Sequence, residues 1–132
     1  MNQELFEQGL ATRRAVLGDA YVEKSLASAD DFSMPMQELV TQYCWGDVWN
    51  RPGLERAQRS LINLAMISAL NRPHELKVHV RGAINNGVTK EQIQEVFLQV
   101  AIYCGAPAAL ESFRLAREVF ADMEAEAEVA TA

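Results

Sequence analysis

The residues best equipped for chemistry lie between Arg72 and Gly87, in the segment RPHELKVHVRGAINNG. Arg72, Glu75 and His79 follow one another at spacings of three and four, which on a helix places side chains on one face. They stand beside an apolar row of Leu76, Val80 and Ala83. An anion-binding charge, an orienting carboxylate and a proton-carrying imidazole on one rigid element are the parts of a small acid–base site. The same pattern also fits a solvated helix face with an ordinary ion pair, so spacing alone does not decide. The helix that must hold these groups is marked at both ends. Pro73 suits a first helical position, where its missing N–H has no partner to lose. Gly87 suits the left-handed residue that ends a helix, which makes Asn85 and Asn86 helix-end residues. His74, beside Pro73 in the first turn, is expected at the surface.

The rest of the chain reads as helix, with no convincing alternation of period two. A first helix is expected from about Asn2 to Leu17, carrying Phe6, Leu10 and Leu17 on one face, with Gly18 after it. A short one covers Ala20 to Ala29. Ser33 offers an N-cap, with Pro35 in the first turn, for a helix to about Gly46. A short helical turn then runs into Pro52-Gly53. Helix is expected again from Leu54 to Leu70, where LINLAMISAL is apolar on nearly every side. Thr89-Lys90-Glu91-Gln92 is a capping box opening the next helix, whose second half, VFLQVAIYCGA, is also apolar almost throughout. Pro107 starts a last amphipathic helix with Leu110, Phe113, Phe120 and Met123. The tail from about 121 to 132, acidic and alanine-rich, is expected to be frayed. The expectation is one all-α domain over residues 1–132. Two helices that need covering on most sides call for a partner subunit, so a homo-oligomer is predicted.

Composition narrows the function. The chain has 132 residues, 49% hydrophobic and 23% charged, which suits one domain with a real core. The net charge of -6, with no basic block, argues against nucleic acid. No apolar run reaches the ~20 residues of a membrane span, and the N-terminal segment has no apolar signal core. Cys44 and Cys104 form no CxxC and no Cys/His ligand spacing, so no metal site is expected. Each is expected to be a reduced thiol in or near the core of a cytosolic protein.

These segments together resemble the 4-carboxymuconolactone decarboxylases. The likeness runs from roughly Phe6 to Phe120. Tyr43-x-Trp45-Gly46 with Trp49-x-Arg51-Pro52-Gly53-Leu54 marks the decarboxylase branch. His79-x-x-x-Ala83-x-x-x-Gly87, followed by the capping box, is shared with the wider alkylhydroperoxidase D-like superfamily. Relatives in that superfamily carry a Cys-x-x-Cys-x-x-x-His relay. Counting back from His79, the cysteine positions here are Arg72 and Glu75, and a glutamate used by the peroxidase branch would fall near Ser60. Dithiol chemistry therefore cannot operate in this chain. The resemblance implies an alkylhydroperoxidase D-like helical fold, a trimer or hexamer, and a cytoplasmic enzyme of the protocatechuate branch of the β-ketoadipate pathway. The implied reaction takes 4-carboxymuconolactone to the β-ketoadipate enol-lactone and CO2 without a cofactor. Two alternatives remain: a peroxidase-type relative without its dithiol, and a non-catalytic helical oligomer that binds a small organic acid.

The implied substrate is a dianionic lactone whose leaving carboxylate sits on the γ carbon of an unsaturated ring. As CO2 departs, its electrons pass through the double bond to the lactone carbonyl, so the substrate is its own electron sink. The enzyme must hold two carboxylates, steady the charge on the carbonyl oxygen, and deliver a proton to the adjacent carbon. In a protein of net charge -6, local cations must do the holding. Arg72 and Arg51 are the expected guanidinium partners, ahead of Arg81, Arg56 and Arg59. His79 is the expected proton donor, with Glu75 fixing its tautomer and favouring its charged form. Trp45 and Tyr103, with Trp49 and Tyr43, could wall a water-poor pocket, although aromatics at such spacings also serve as core.

Overall fold

In the computed structural model, which describes residues 1–131, seven α-helices account for most of the chain: α1 Gln3–Leu17, α2 Asp19–Ala27, α3 Met34–Leu39, α4 Arg56–Ala69, α5 Pro73–Asn85, α6 Lys90–Cys104 and α7 Ala106–Thr131. A π-helix, Val40–Asp47, and a 3₁₀ turn, Val48–Asn50, follow α3. No strand occurs among the described residues. The chain divides into two compact units, Met1–Arg56 and Ala57–Ala132.

In the first unit, α1 packs closely on the π-helix. Both elements give up a side chain where they meet: a methyl group on Gly9 would overlap the carbonyl of Thr41, and one on Gly46 would press on the carbonyl of Leu5. The expected α-helix to Gly46 is therefore half right. It widens into π geometry at Val40, and polar side chains take up the displaced carbonyls. Gln42 donates to the Glu38 carbonyl, and Asn50 donates to those of Trp45 and Gly46. Ser33 makes no side-chain cap; it bonds Asp30 instead.

In the second unit, α5, α6 and α7 surround a core of Leu64, Leu76, Val80, Ile93, Phe97 and Leu115. The Thr89 capping box forms in full. Gly87 adopts φ 87°, and the Val88 N–H returns to the Ala83 carbonyl, closing α5 as its sequence implies. At the end of α4 the left-handed residue is Asn71, φ 56°, a turn with no glycine to mark it in the sequence. The segment from about 121 differs from the frayed tail expected of it. It continues α7 to Thr131, tied by Lys90 to Glu124 and by Arg81 to Glu126. Ala132 lies outside the described residues.

The two apolar helices are not covered all round within the chain. Ile62 and Met66 on α4, Leu70 just after it, and Leu98, Ile102 and Tyr103 on α6 are exposed. No described helix is long and apolar enough to cross a membrane.

Candidate functional site

Helix α5 carries the candidate site. Its N-terminus is set by Arg72 and Pro73, with Glu75 in the first turn. His79 follows one turn after Glu75, on the side of α5 that meets Asn63 of α4. The amide Nδ2 of Asn63 lies 3.5 Å from Nδ1 of the imidazole. Burial pulls the His79 pKa down to about 4, and the neighbouring Glu75 carboxylate only partly offsets that. The imidazole is therefore neutral at pH 7. This corrects the expectation that Glu75 would hold the charged, proton-donating form: removal from water outweighs attraction to a carboxylate that is itself well solvated.

Arg72 projects elsewhere. It lines a cavity of about 210 Å3 with Ile67, Ser68, Asn71, Leu76, Ser112 and others, and His79 is not among the lining residues. Its recorded hydrogen bond is a long one, 3.4 Å, to the Leu70 carbonyl. At the base of this cavity the buried hydroxyls of Ser68 and Ser112 bond each other at 2.8 Å. The other arginines weighed in this unit have other engagements or another place. Arg81 is held by both carboxylate oxygens of Glu126. Arg59 is half-buried one turn before Asn63 on α4, and residues four apart share a helix face.

Tyr103 is 81% exposed and borders an apolar groove of about 350 Å3 with Leu61, Ile62, Val96 and Val100. Trp45 and Arg51 belong to the first unit. Trp45 is buried and stacks on Trp49, ring centroids 4.8 Å apart, so both indoles serve the packing of that unit. Arg51 is exposed and lies 3.8 Å from Asp47, a loose pair on the surface. Arg56 reaches Thr12 and Asn50. The geometry thus joins Glu75 and His79 electrostatically and adds Asn63. A signal for Asn63 existed: it is the one amide within the apolar run LINLAMISAL.

Ser60, near the position of the peroxidase-branch glutamate, is fully buried and accepts a bond from Asn86 at 2.9 Å. The site is held by a structural hydroxyl where that branch would need a carboxylate. Cys44 is half-buried and its thiol pKa is raised by burial, which disfavours the thiolate. Cys104, expected in or near the core, is exposed at the end of α6. No group of three or more metal-ligating side chains occurs among the described residues.

The described chain is all-helical and carries a desolvated imidazole on α5, with no cysteine pair before it. Residues 35–118 match the model of the carboxymuconolactone decarboxylase family. The chain belongs to that family. It is 46% identical to the nitrosuccinic acid decarboxylase of Metarhizium robertsii over 123 residues, covering 93% of this chain and 86% of the relative. It is 41% identical to the 4-carboxymuconolactone decarboxylase of Acinetobacter baylyi over 122 residues, covering 92% of this chain and 91% of that one. It is also 33% identical over 135 residues to an uncharacterized 15.0 kDa protein of Paracoccus denitrificans.

Proposed function

We propose that this protein is a cytoplasmic carboxy-lyase, one family domain over residues 1–132, that converts 4-carboxymuconolactone to the β-ketoadipate enol-lactone and CO2 without a cofactor. The observation that carries this reading is the likeness to a 4-carboxymuconolactone decarboxylase along 92% of the chain. The surroundings of His79 supply a mechanism. In the free protein the imidazole is neutral, with its pKa near 4. A bound dianion adds negative charge beside it and opposes the effect of burial, so the complex takes up one proton from water. Loss of CO2 leaves the bonding pair in the ring as a dienolate, with charge on the lactone oxygen. The imidazolium then passes its proton to the carbon next to that carbonyl and returns to the neutral form that its desolvated setting favours. One proton enters from water and one is delivered to carbon in each turnover. Glu75 tempers the effect of burial.

A second substrate is favoured by the 46% identity to a nitrosuccinic acid decarboxylase. Nitrosuccinate is also a dicarboxylate whose leaving group sits beside an electron sink, in that case a nitro group. The test is a spectrophotometric assay with freshly generated 4-carboxymuconolactone, run in parallel with nitrosuccinate. Loss of the lactone at enzyme-dependent rates is expected. No loss of the lactone overturns its assignment, and turnover of nitrosuccinate alone transfers the same chemistry to that acid.

A homo-oligomer, trimer or hexamer, is part of the proposal. The exposed apolar residues of α4 and α6 and the groove beside Tyr103 support it. Sedimentation should give a multiple of 14.7 kDa, and a mass near 14.7 kDa removes the idea.

A further inference from the structure

We propose that the cavity between α4, α5 and α7 is a second binding site, for a small hydroxycarboxylate whose carboxylate meets Arg72 at the rim and whose hydroxyl meets Ser68 at the floor. The proposal does not rest on the decarboxylase reading, and His79 is not among the lining residues.

The cavity lies within the second unit and holds about 210 Å3. Pockets for larger organic ligands run to roughly 300–1,000 Å3, so its occupant is small. Ile67, Leu76, Ala108 and Leu115 give it apolar walls. Its polar groups stand at two levels. Arg72 is exposed at the rim, forms no ion pair among the described residues, and makes only the long bond to the Leu70 carbonyl. Pro73 lines the cavity too, which brings the positive end of α5 to the same rim. A guanidinium left open beside that helix end fits a carboxylate. Glu111 is also on the rim, where Arg114 holds its carboxylate. One open cation beside one acidic residue suits a single negative charge rather than two. That sets this occupant apart from the dianion proposed for the reaction.

The floor calls for a hydroxyl. Ser68 and Ser112 are both buried, and each has one hydroxyl hydrogen to give. The Ser112 oxygen lies 2.9 Å from the Ala108 carbonyl, which can only accept, and 2.8 Å from the Ser68 oxygen. Ser112 therefore donates to Ala108, and Ser68 donates to Ser112. The chain ends at Ser68, whose lone pairs have no donor among the described residues. If Ser112 donated to Ser68 instead, the open end would still be Ser68, then with a hydrogen to give. A buried oxygen of that kind is costly without a partner. A ligand hydroxyl both donates and accepts, so it completes Ser68 in either sense. A second carboxylate at the floor would set its charge against oxygen lone pairs, and a methyl group would leave them bare.

The experiment uses the full chain with 13C-labelled leucine methyl groups, because Leu76 and Leu115 line the cavity and Leu10 does not. The probes are 4-hydroxybutyrate and 6-hydroxyhexanoate, a short and a longer chain. At least one should shift the Leu76 and Leu115 signals saturably, in the millimolar range or tighter, and leave Leu10 unmoved. Saturation by neither overturns the proposal. The matching plain acid, butyrate or hexanoate, should bind about fivefold more weakly, as the loss of one hydrogen bond implies. A plain acid that binds as tightly as its hydroxy acid overturns the role given to Ser68. Ser68→Ala should abolish that preference and leave the plain acid unaffected. Arg72→Gln should weaken both acids by about tenfold or more, since it removes a charged hydrogen bond. Unchanged affinity in Arg72→Gln overturns the carboxylate assignment. His79→Gln should bind as wild type does, and loss of binding there overturns the separateness of the site. Circular dichroism checks the fold of each variant, and the comparison of acids on the wild-type protein decides the proposal whether or not Ser68→Ala folds.

Discussion

Each unit of the chain withdraws a basic side chain from water, fully in one case and partly in the other, and the two meet different fates. In the first unit Arg13 is 6% exposed, and its Nη1 donates to the neutral side chains of Gln37 and Thr41. Burial lowers its pKa, yet a guanidinium starts so far above neutrality that it keeps its charge. In the second unit His79 feels the same desolvation, but its ordinary pKa lies close to neutral pH, so it gives up its proton. The same physical effect thus leaves one buried base as a fixed structural charge and turns the other into a group whose charge a ligand can set. The first unit ties its polar side chains into its own turns, whereas the second leaves Arg72 and Glu75 at the surface.

The largest expected effect breaks the comparison at its functional side. His79→Gln should lower kcat by about 10²–10⁴-fold with helicity intact, because it removes the proton carrier and little packing. A variant within a few-fold of wild type rules out that role. At the structural side, Gly9→Ala should cost about 3 kcal/mol in denaturant unfolding, since the new methyl meets main-chain atoms of Thr41 and Gly46 that have little room to move. A loss below 1 kcal/mol would mean that α1 and the π-helix separate easily.

The titration of His79 sharpens the contrast further. Its folded pKa, about 4, lies below the ordinary histidine value of 6.5, so the unfolded chain binds more protons in between. Stability from this group is complete above pH 6.5 and is lost as pH falls to 4, by up to about 3 kcal/mol. Urea unfolding at pH 7 and pH 4.5, compared between wild type and His79→Gln, isolates that share. The variant should show the smaller drop, and equal drops refute the burial argument. Arg13 should add no pH dependence over this range. The smallest effect is at the capping box: Thr89→Ala should cost about 1 kcal/mol by the same measurement, and no loss would mean that α6 starts without it.

Much of the fold was legible because its signals are local. Pro73, Gly87 and the Thr89–Gln92 box each act within one turn, and the helices they bound appear where they imply. The widening at Val40–Asp47 was not legible, since it depends on Gly9 and Asn50 meeting that segment from elsewhere in the chain. The candidate site was legible in part. The spacing of Glu75 and His79 put both on α5 one turn apart, but spacing placed Arg72 with them as well, and its side chain turns to a different cavity. The spacing of Tyr103 and Trp45 fits either a pocket wall or the core. Trp45 packs in its own unit, and Tyr103 stands in the open.

Sequence alone determined where helices start and stop, that no cysteine pair precedes His79, and which family the chain resembles. These properties reside in consecutive residues and in the short-range geometry of the backbone. Only the tertiary structure decided that the imidazole is neutral and that an asparagine sixteen residues earlier in the chain faces its Nδ1. Desolvation and cross-helix hydrogen bonds depend on which surfaces close over a group, and that is settled by packing between segments far apart in the chain.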